Sequence, residues 1–146
     1  MSDFRRLSDG MLASPQITVA DVANAKAEGV ALIINNRPDG EEPGQPEGAE
    51  IEAAARAAGM DYVAIPVSSA GFSQPQVAAM AEALGSAKGK VLAYCRSGTR
   101  STFLWSLARA GEGLDPDEIA SCAIGAGYDI SPIMPMIASI AAQSSG

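Results

Sequence analysis

The stretch VLAYCRSGTRSTFLW, residues 91–105, joins an apolar run of strand length to a helical segment through a short polar loop. Cys95 ends the apolar run, and Arg100 stands near the start of the helix. In an open α/β sheet, ligands bind at the carboxyl ends of the strands, where loops of this kind lie. The stretch therefore predicts an α/β domain with a binding site at Cys95.

The rest of the chain repeats this alternation of strand and helix. Three further strands are predicted, at residues 9–16, 30–36 and 61–67. Thr18 and Ser73 have the character of helix caps, and two more helices are expected after residue 110. The pattern predicts an α/β fold with a mainly parallel sheet of about four strands, flanked by helices. With 146 residues, the chain is expected to form a single domain over residues 1–146, with frayed ends at 1–8 and 142–146.

Composition excludes several classes of function. The formal net charge of -7 disfavours nucleic acid as a partner, because phosphate backbones require a basic surface. No apolar stretch approaches the roughly 20 residues of a membrane helix, so no membrane association is expected. The N-terminus has no apolar core typical of a secretory signal, so we expect a cytoplasmic location.

The residue counts also restrict the chemistry. The chain has no histidine, which excludes catalysis by a Ser-His-Asp or Cys-His arrangement and most zinc sites. We therefore expect no metal and no cofactor. The two cysteines, Cys95 and Cys122, form no Cys-x-x-Cys pair. Cys122 lies in an apolar helical segment, where a buried small side chain is the simpler interpretation.

The loop after Cys95 combines several features of an anion site. Its backbone N–H groups precede a helix N-terminus, Gly98 permits a close approach of the backbone, and Arg100 offers a planar fork of donors. The same positive field favours Cys95 as a thiolate, so Cys95 and Arg100 are the predicted catalytic residues. The predicted anion-binding residues of the loop are Arg96, Ser97, Gly98, Thr99 and Ser101. The Ser101 hydroxyl is also a candidate partner for the thiolate.

Alternative interpretations exist for each of these residues. A cysteine at a strand end is often structural, but two arginines and a helix start beside it favour catalysis. Arg37 is either a second anion contact or a surface arginine paired with Glu41 or Glu42. The Pro-, Gly- and acid-rich loop of residues 37–48 is either a surface loop or an active-site flap, and in the second case Asp39 is a possible proton donor.

The motif CRSGTRS, residues 95–101, resembles the active loop of rhodanese-type sulfurtransferases, with four residues between cysteine and arginine. Protein tyrosine phosphatases have five residues there. The segments LASPQITVADV, INNRPDGEEPGQP and YVAIPV resemble, together with this motif, the phosphatase-like domain family of the beta-lactamase-hydrolase-like proteins of bacteria. That resemblance covers roughly residues 5–130 and implies a fold like that of protein tyrosine and dual-specificity phosphatases. Some members carry a domain resembling persulfide dioxygenases, which implies a persulfide-metabolising enzyme as a candidate partner.

Two departures from the resembled families bear on function. Tyr94 stands where the family usually has histidine, and no acid follows AIPV, where tyrosine phosphatases carry an aspartate and this chain has Ser68, Ser69, Ala70 and Gly71. Sulfur transfer requires no such acid. The main hypothesis is therefore a sulfurtransferase with a Cys95 persulfide, using a small-molecule sulfur donor and acceptor. The alternative is a phosphatase with a Cys95 phosphocysteine and a phosphorylated substrate. The third is a non-catalytic anion- or phosphoprotein-binding module.

Overall fold

A computed structural model describes residues 3–68 and 71–145 of the chain. The strands are β1 (Arg5–Ser8), β2 (Met11–Ser14), β3 (Val30–Asn35), β4 (Asp61–Ala64) and β5 (Lys90–Tyr94). The helices are α1 (Val19–Ala27), α2 (Gly48–Ala57), α3 (Gln74–Ser86), α4 (Thr99–Gly111), α5 (Pro116–Gly125) and α6 (Met134–Ser145). A short 3-10 turn, Ser131–Ile133, precedes α6. None of the helices in this described part has the length and apolar content needed to span a membrane.

The strands form one sheet in the order β1-β2-β5-β3-β4. The pairs β2–β5, β5–β3 and β3–β4 are parallel, which confirms the predicted α/β fold with a mainly parallel sheet. Within the described residues the sheet has five strands rather than about four, because β1 pairs antiparallel with β2 across a tight turn. This strand was missed because its sequence, RRLS, is short and polar and its pairing partner decides its conformation.

The predicted frayed ends differ from the structure. Residues 5–8 form β1, in which Leu7 is buried in the core, and residues 142–145 belong to helix α6. Burial of one side chain and pairing with β2 order the N-terminal segment, while α6 packs against α4. Residues 1, 2 and 146, which the same prediction included, lie outside the described residues.

The core lies on both faces of the sheet because side chains alternate along each strand. On β3, Leu32 and Ile34 join the apolar cluster formed with helices α3 to α6. Ile33, between them, joins a second cluster with α1 and α2. Burial on both faces explains why β3 reads as a continuous apolar run, VALIIN.

The N-caps of α1 and α3 are Thr18 and Ser73, the two residues predicted from the sequence. The Thr18 side chain accepts a hydrogen bond from the N–H of Asp21, whose carboxylate accepts one from the Thr18 N–H in return. Ser73 and Gln76 form the corresponding capping box at α3. These reciprocal bonds satisfy N–H groups that have no partner within the helix, so they fix where each helix begins.

Candidate active site

The parallel strands end in one row, and this row positions the site. Ser14 of β2 and Asn35 of β3 are both in register with Tyr94 of β5. Cys95, the next residue, is bound into this row through its N–H, which donates to the Ser14 carbonyl at 3.3 Å. The loops that leave these strands therefore surround Cys95, as expected at the carboxyl edge of a parallel sheet.

The cysteine loop, residues 95–100, wraps around the sulfur. Cys95 is fully buried, and its Sγ accepts a hydrogen bond from the Gly98 N–H at 3.1 Å. Gly98 is the N-cap of α4 and has φ +95°, a left-handed conformation that glycine adopts without strain. The sulfur thus lies at a helix N-terminus and receives a backbone donor, which is the environment that stabilises a thiolate.

The hydroxyls of the loop serve each other rather than the sulfur. The Ser97 hydroxyl donates to Thr99 Oγ1 at 2.9 Å and accepts from the Thr99 N–H at 3.3 Å. Ser101 Oγ is buried and has no hydrogen-bond partner within the described residues. The predicted bond from Ser101 to the thiolate is therefore not formed in this structure, although Ser101 does lie in the buried first turn of α4.

Arg100 lies beside the cysteine and is held by two acceptors from other loops. Its guanidinium makes two hydrogen bonds to the Glu41 carboxylate, at 2.7 and 2.8 Å, and one of 2.7 Å to the Val67 carbonyl. The pKa of Arg100 is raised, first by the Glu41 hydrogen bond and further by the Cys95 side chain. This pairing fixes the guanidinium at the cleft with a planar fork that suits an oxyanion.

The loop of residues 38–47, which we call the flap, contacts the cleft through ion pairs. Glu41 binds Arg37 at 2.9 Å in addition to Arg100, and Glu42 binds Arg37 at 2.7 Å and Arg96 at 2.9 Å. Those five side chains line a cleft of about 410 Å³. Arginine and carboxylate therefore alternate around the predicted anion site, and the flap side chains occupy donors that a substrate anion would use.

Arg37 does lie at the site, but not as a surface arginine. It is only 4% exposed, and besides the two glutamates it donates to Gln16 Oε1 at 3.0 Å. Sequence reasoning treated Glu41 and Glu42 only as partners of an exposed Arg37. Their position over the cysteine loop depends on the path of the whole flap, and the only sequence signal was an acidic loop following a strand that ends at the site.

Two carboxylates of the flap, Glu41 and Asp39, are candidate proton donors, and each has a partner in the structure. The hydrogen bond from Arg100, together with the contact to Arg37, lowers the pKa of Glu41 to about 2, against the opposing effect of burial. Asp39, the predicted candidate acid, accepts the Gly48 N–H at 2.8 Å through Oδ1. It thus binds the first residue of α2 and makes no hydrogen bond to the cysteine loop in the described residues. Ser69 and Ala70 lie outside those residues.

Tyr94, the residue before Cys95, lies on the face of the sheet that packs against α1 and α2. It is buried in the cluster with α1 and α2 and lies against Tyr62. Burial raises the pKa of the Tyr94 hydroxyl, so the group stays neutral. Tyr94 therefore contributes to packing beneath the site.

A larger cleft, of about 580 Å³, lies between α3, α4 and α6. Apolar side chains such as Phe72, Val77 and Ile140 line it, and no residue of the cysteine loop is among them. The volume of a cleft therefore does not identify the active site of this protein. The charged cleft at Cys95 does, because a nucleophile and anion-binding donors meet there.

Comparison with known proteins identifies the family. A sequence model described as "Beta-lactamase hydrolase-like protein, phosphatase-like domain" matches residues 3–112. The chain belongs to this family. The Beta-lactamase hydrolase-like protein of Agrobacterium fabrum is 41% identical over 108 residues, which make up 74% of this chain and 25% of that protein. The chain spans between 25% and 29% of the length of the curated relatives it matches.

Solved structures give the same result for the fold. The crystal structure of nma1982 from Neisseria meningitidis, a candidate phosphatase, is 34% identical and has a TM-score of 0.85, covering 96% of this chain and 99% of that one. Kinase associated phosphatase is 14% identical with a TM-score of 0.73, covering 100% and 96% of the two chains. The chain therefore has a phosphatase-like domain with the protein tyrosine phosphatase-like fold that the resemblance implied.

Proposed function

We propose that this enzyme hydrolyses phosphate esters through a phosphocysteine at Cys95. The observation that carries the proposal is the hydrogen bond of 3.1 Å from the Gly98 N–H to Cys95 Sγ, at the start of α4 and beside Arg100. A thiolate and an anion cradle are thereby built from the same six residues. The phosphatase-like relatives support this choice of substrate over a sulfur donor.

The reaction has two displacements on phosphorus. Cys95 Sγ attacks the phosphorus atom, the S–P bond forms, and the ester oxygen leaves with the electron pair of the broken P–O bond. Water then attacks the phosphocysteine, the S–P bond breaks, and Sγ returns as a thiolate while inorganic phosphate is released. In both steps the loop N–H groups and the Arg100 guanidinium stabilise the negative charge on the phosphoryl oxygens.

The leaving group restricts the substrate. Glu41 is ionised at neutral pH and Asp39 is bound to α2, so neither carboxylate is placed to protonate a leaving oxygen. General acid catalysis typically contributes about 10²–10⁴-fold. We therefore propose aryl or acyl phosphates, whose leaving groups depart as stable anions, over alkyl phosphates.

Sulfur transfer is the second candidate, and a separate observation favours it. The loop has four residues between Cys95 and Arg100, and the carboxylates around it are bound in ion pairs. Thiosulfate needs no proton donor: Sγ attacks the outer sulfur, an S–S bond forms, and sulfite leaves with the electron pair of the broken bond. A thiol or cyanide acceptor then takes the outer sulfur from the Cys95 persulfide, and the Cys95 thiolate is regenerated. A persulfide formed on a thiol acceptor is a substrate for a persulfide-metabolising partner enzyme. Both reactions require a reduced cysteine, in keeping with a cytoplasmic location.

One paired assay separates these proposals. The protein is incubated with p-nitrophenyl phosphate, or with thiosulfate followed in a second step by cyanide, and its intact mass is measured after each step. Cys95→Ser is the test variant and Cys122→Ser the matched control. A phosphatase releases p-nitrophenol, and the activity is lost in Cys95→Ser and kept in Cys122→Ser. A gain of one sulfur mass that cyanide removes would replace phosphatase with sulfurtransferase. If neither occurs but tungstate binds, the domain is an anion-binding module.

A further inference from the structure

Tyr128 lies under the cysteine loop, beyond residues 3–112 that the family model matches. It follows α5, is only 7% exposed, and its hydroxyl donates to the Ser97 carbonyl at 3.1 Å. This is a contact across 31 positions of sequence, between a helix terminus and the loop that holds the sulfur. Its position suggests a role in shaping that loop.

The Ser97 carbonyl and the Gly98 N–H belong to the same peptide unit. The unit is trans, as are all described peptide bonds, so its C=O and N–H point in opposite directions. The carbonyl end is bound by Tyr128, and the N–H end donates to Cys95 Sγ, both at 3.1 Å. A hydrogen bond on one side of the plane therefore sets where the donor on the other side points.

Gly98 and Tyr128 fit each other. A Cβ built on Gly98 would lie 2.0 Å from the Tyr128 hydroxyl oxygen and 2.8 Å from its Cζ, so the tyrosine fills the space that the missing side chain leaves. The contact allows little movement of the Ser97–Gly98 peptide toward α5. Packing and hydrogen bonding thus restrain the same peptide plane.

The tyrosine is itself held in place and stays a donor. The Arg5 guanidinium lies 5.3 Å from the centre of the Tyr128 ring, and the Tyr128 N–H donates to the Ala123 carbonyl at 2.9 Å. Burial raises the pKa of the Tyr128 hydroxyl, and so does the negative field of Cys95, against an opposing effect of Arg5. The hydroxyl is therefore protonated at neutral pH and can donate to a carbonyl.

We propose that Tyr128 is a positioning residue for the nucleophile: its hydroxyl orients the Ser97–Gly98 peptide so that the Gly98 N–H stabilises the Cys95 thiolate. The inference rests on the proposed role of Cys95 as a nucleophile, but it does not depend on whether phosphorus or sulfur is attacked. It also gives β1 a part in the site, because Arg5 supports the tyrosine ring.

The test is Tyr128→Phe, which removes one hydroxyl and keeps the ring. Tyr62→Phe is the matched control, because the Tyr62 hydroxyl also has a buried partner, accepting from Asn35 Nδ2 at 2.9 Å, outside the cysteine loop. Alkylation of Cys95 by iodoacetamide is followed by peptide mass spectrometry as a function of pH. This readout requires no turnover, so it tests the positioning role even if the proposed phosphatase activity fails.

In Tyr128→Phe, the alkylation profile should move to higher pH, and the rate at neutral pH should fall about threefold to tenfold, as for the loss of one hydrogen bond. The Gly98 amide proton should shift upfield in an NMR spectrum, and Tyr62→Phe should match the wild type in both measurements. A Tyr128→Phe profile identical to that of the wild type, in a protein with an unchanged Gly98 resonance, would overturn the proposal. If Tyr62→Phe shifts the alkylation profile by the same amount, the shift reflects a general loss of packing, and the proposed positioning role is wrong.

Discussion

The cysteine loop and the flap meet at one cleft, but different forces hold them. Backbone and phenol hydrogen bonds, a glycine at positive φ and close packing hold the loop, with Cys95 and Gly98 buried. Ion pairs of Glu41 and Glu42 connect the flap to the cleft, and these two side chains are 26% and 43% exposed. Salt and solvent screen half-exposed ion pairs but not buried backbone bonds. The loop should therefore behave as a rigid part, and the flap as one that conditions can release.

The largest effect is expected from a substitution of Gly98 in the cysteine loop. In Gly98→Ala, the new Cβ meets the Tyr128 hydroxyl and the residue must hold a φ of +95°. Strain of this kind typically costs about 1–3 kcal/mol and overpacking a similar amount, so we expect a loss of about 2–4 kcal/mol in the free energy of unfolding. Turnover should fall by about 10²-fold or more, because the donor to Sγ moves. Denaturant unfolding and p-nitrophenyl phosphate kinetics measure the two effects.

Gly85→Ala is the control for this substitution. Gly85 lies in α3, has no neighbouring atom within 4 Å of a built Cβ, and is free of positive φ. Its replacement should leave stability unchanged or slightly raised, because alanine favours helix. A Gly98→Ala protein as stable and active as Gly85→Ala would show that the cysteine loop is not rigid.

Arg100 belongs to both regions, and its replacement by lysine comes next in size. Arg100→Lys keeps the positive charge but loses the fork that binds an oxyanion with two parallel bonds. We expect kcat/KM for p-nitrophenyl phosphate to fall by about 10²-fold, with a smaller change in stability. Arg109→Lys, in the same helix and paired with Glu112, is the control and should be near neutral. An equal fall in kcat/KM in the two variants would show that Arg100 has no specific role in binding the oxyanion.

The sequence predicted the geometry of the cysteine loop better than that of the flap. Cys95, Gly98 and Arg100 lie within six consecutive residues, and the change from apolar run to polar loop to helix determines their geometry locally. The fold class follows for the same reason, since each element carries its own pattern of burial and caps. β1 was missed because four polar-rich residues become a strand only when β2 is beside them.

The contacts that complete the site come from distant parts of the chain. Glu41 reaches Arg100 across 59 positions, and Tyr128 reaches Ser97 across 31. No local pattern marks such pairs, because a glutamate in an acidic loop or a tyrosine after a helix fits many environments. Asp39 is the opposite case: its loop made it a possible proton donor by sequence, whereas in the structure its carboxylate accepts a hydrogen bond from Gly48, the first residue of α2.

Weakening the ion pairs of the flap should have a moderate effect. It should increase the access of reagents to the Cys95 sulfur rather than reduce reactivity. Cys95 is fully buried, and Glu41 binds two arginines of the cleft. In Glu41→Gln these ion pairs weaken, so iodoacetamide should alkylate Cys95 several-fold faster, and added salt should accelerate the wild type more than the variant. Peptide mass spectrometry gives the rates. Glu52→Gln, which removes an exposed pair with Arg56, is the control. Slower alkylation in Glu41→Gln would mean that Glu41 supports the thiolate rather than closing the cleft.

The smallest effect is the pH dependence of the same contact. The pKa of Glu41 is lowered from its usual 4.5 to about 2, chiefly by the Arg100 hydrogen bond, so the folded protein favours the carboxylate. Its contribution to stability is therefore fully present above pH 4.5 and is lost as the pH falls toward 2. The difference in free energy of unfolding between wild type and Glu41→Gln should be constant from neutral pH down to about 5 and shrink below it. Glu52→Gln, measured at each pH, corrects for the loss of one exposed carboxylate. A difference that grows on acidification would contradict the pairing, because protonation would then strengthen a contact that requires the charge.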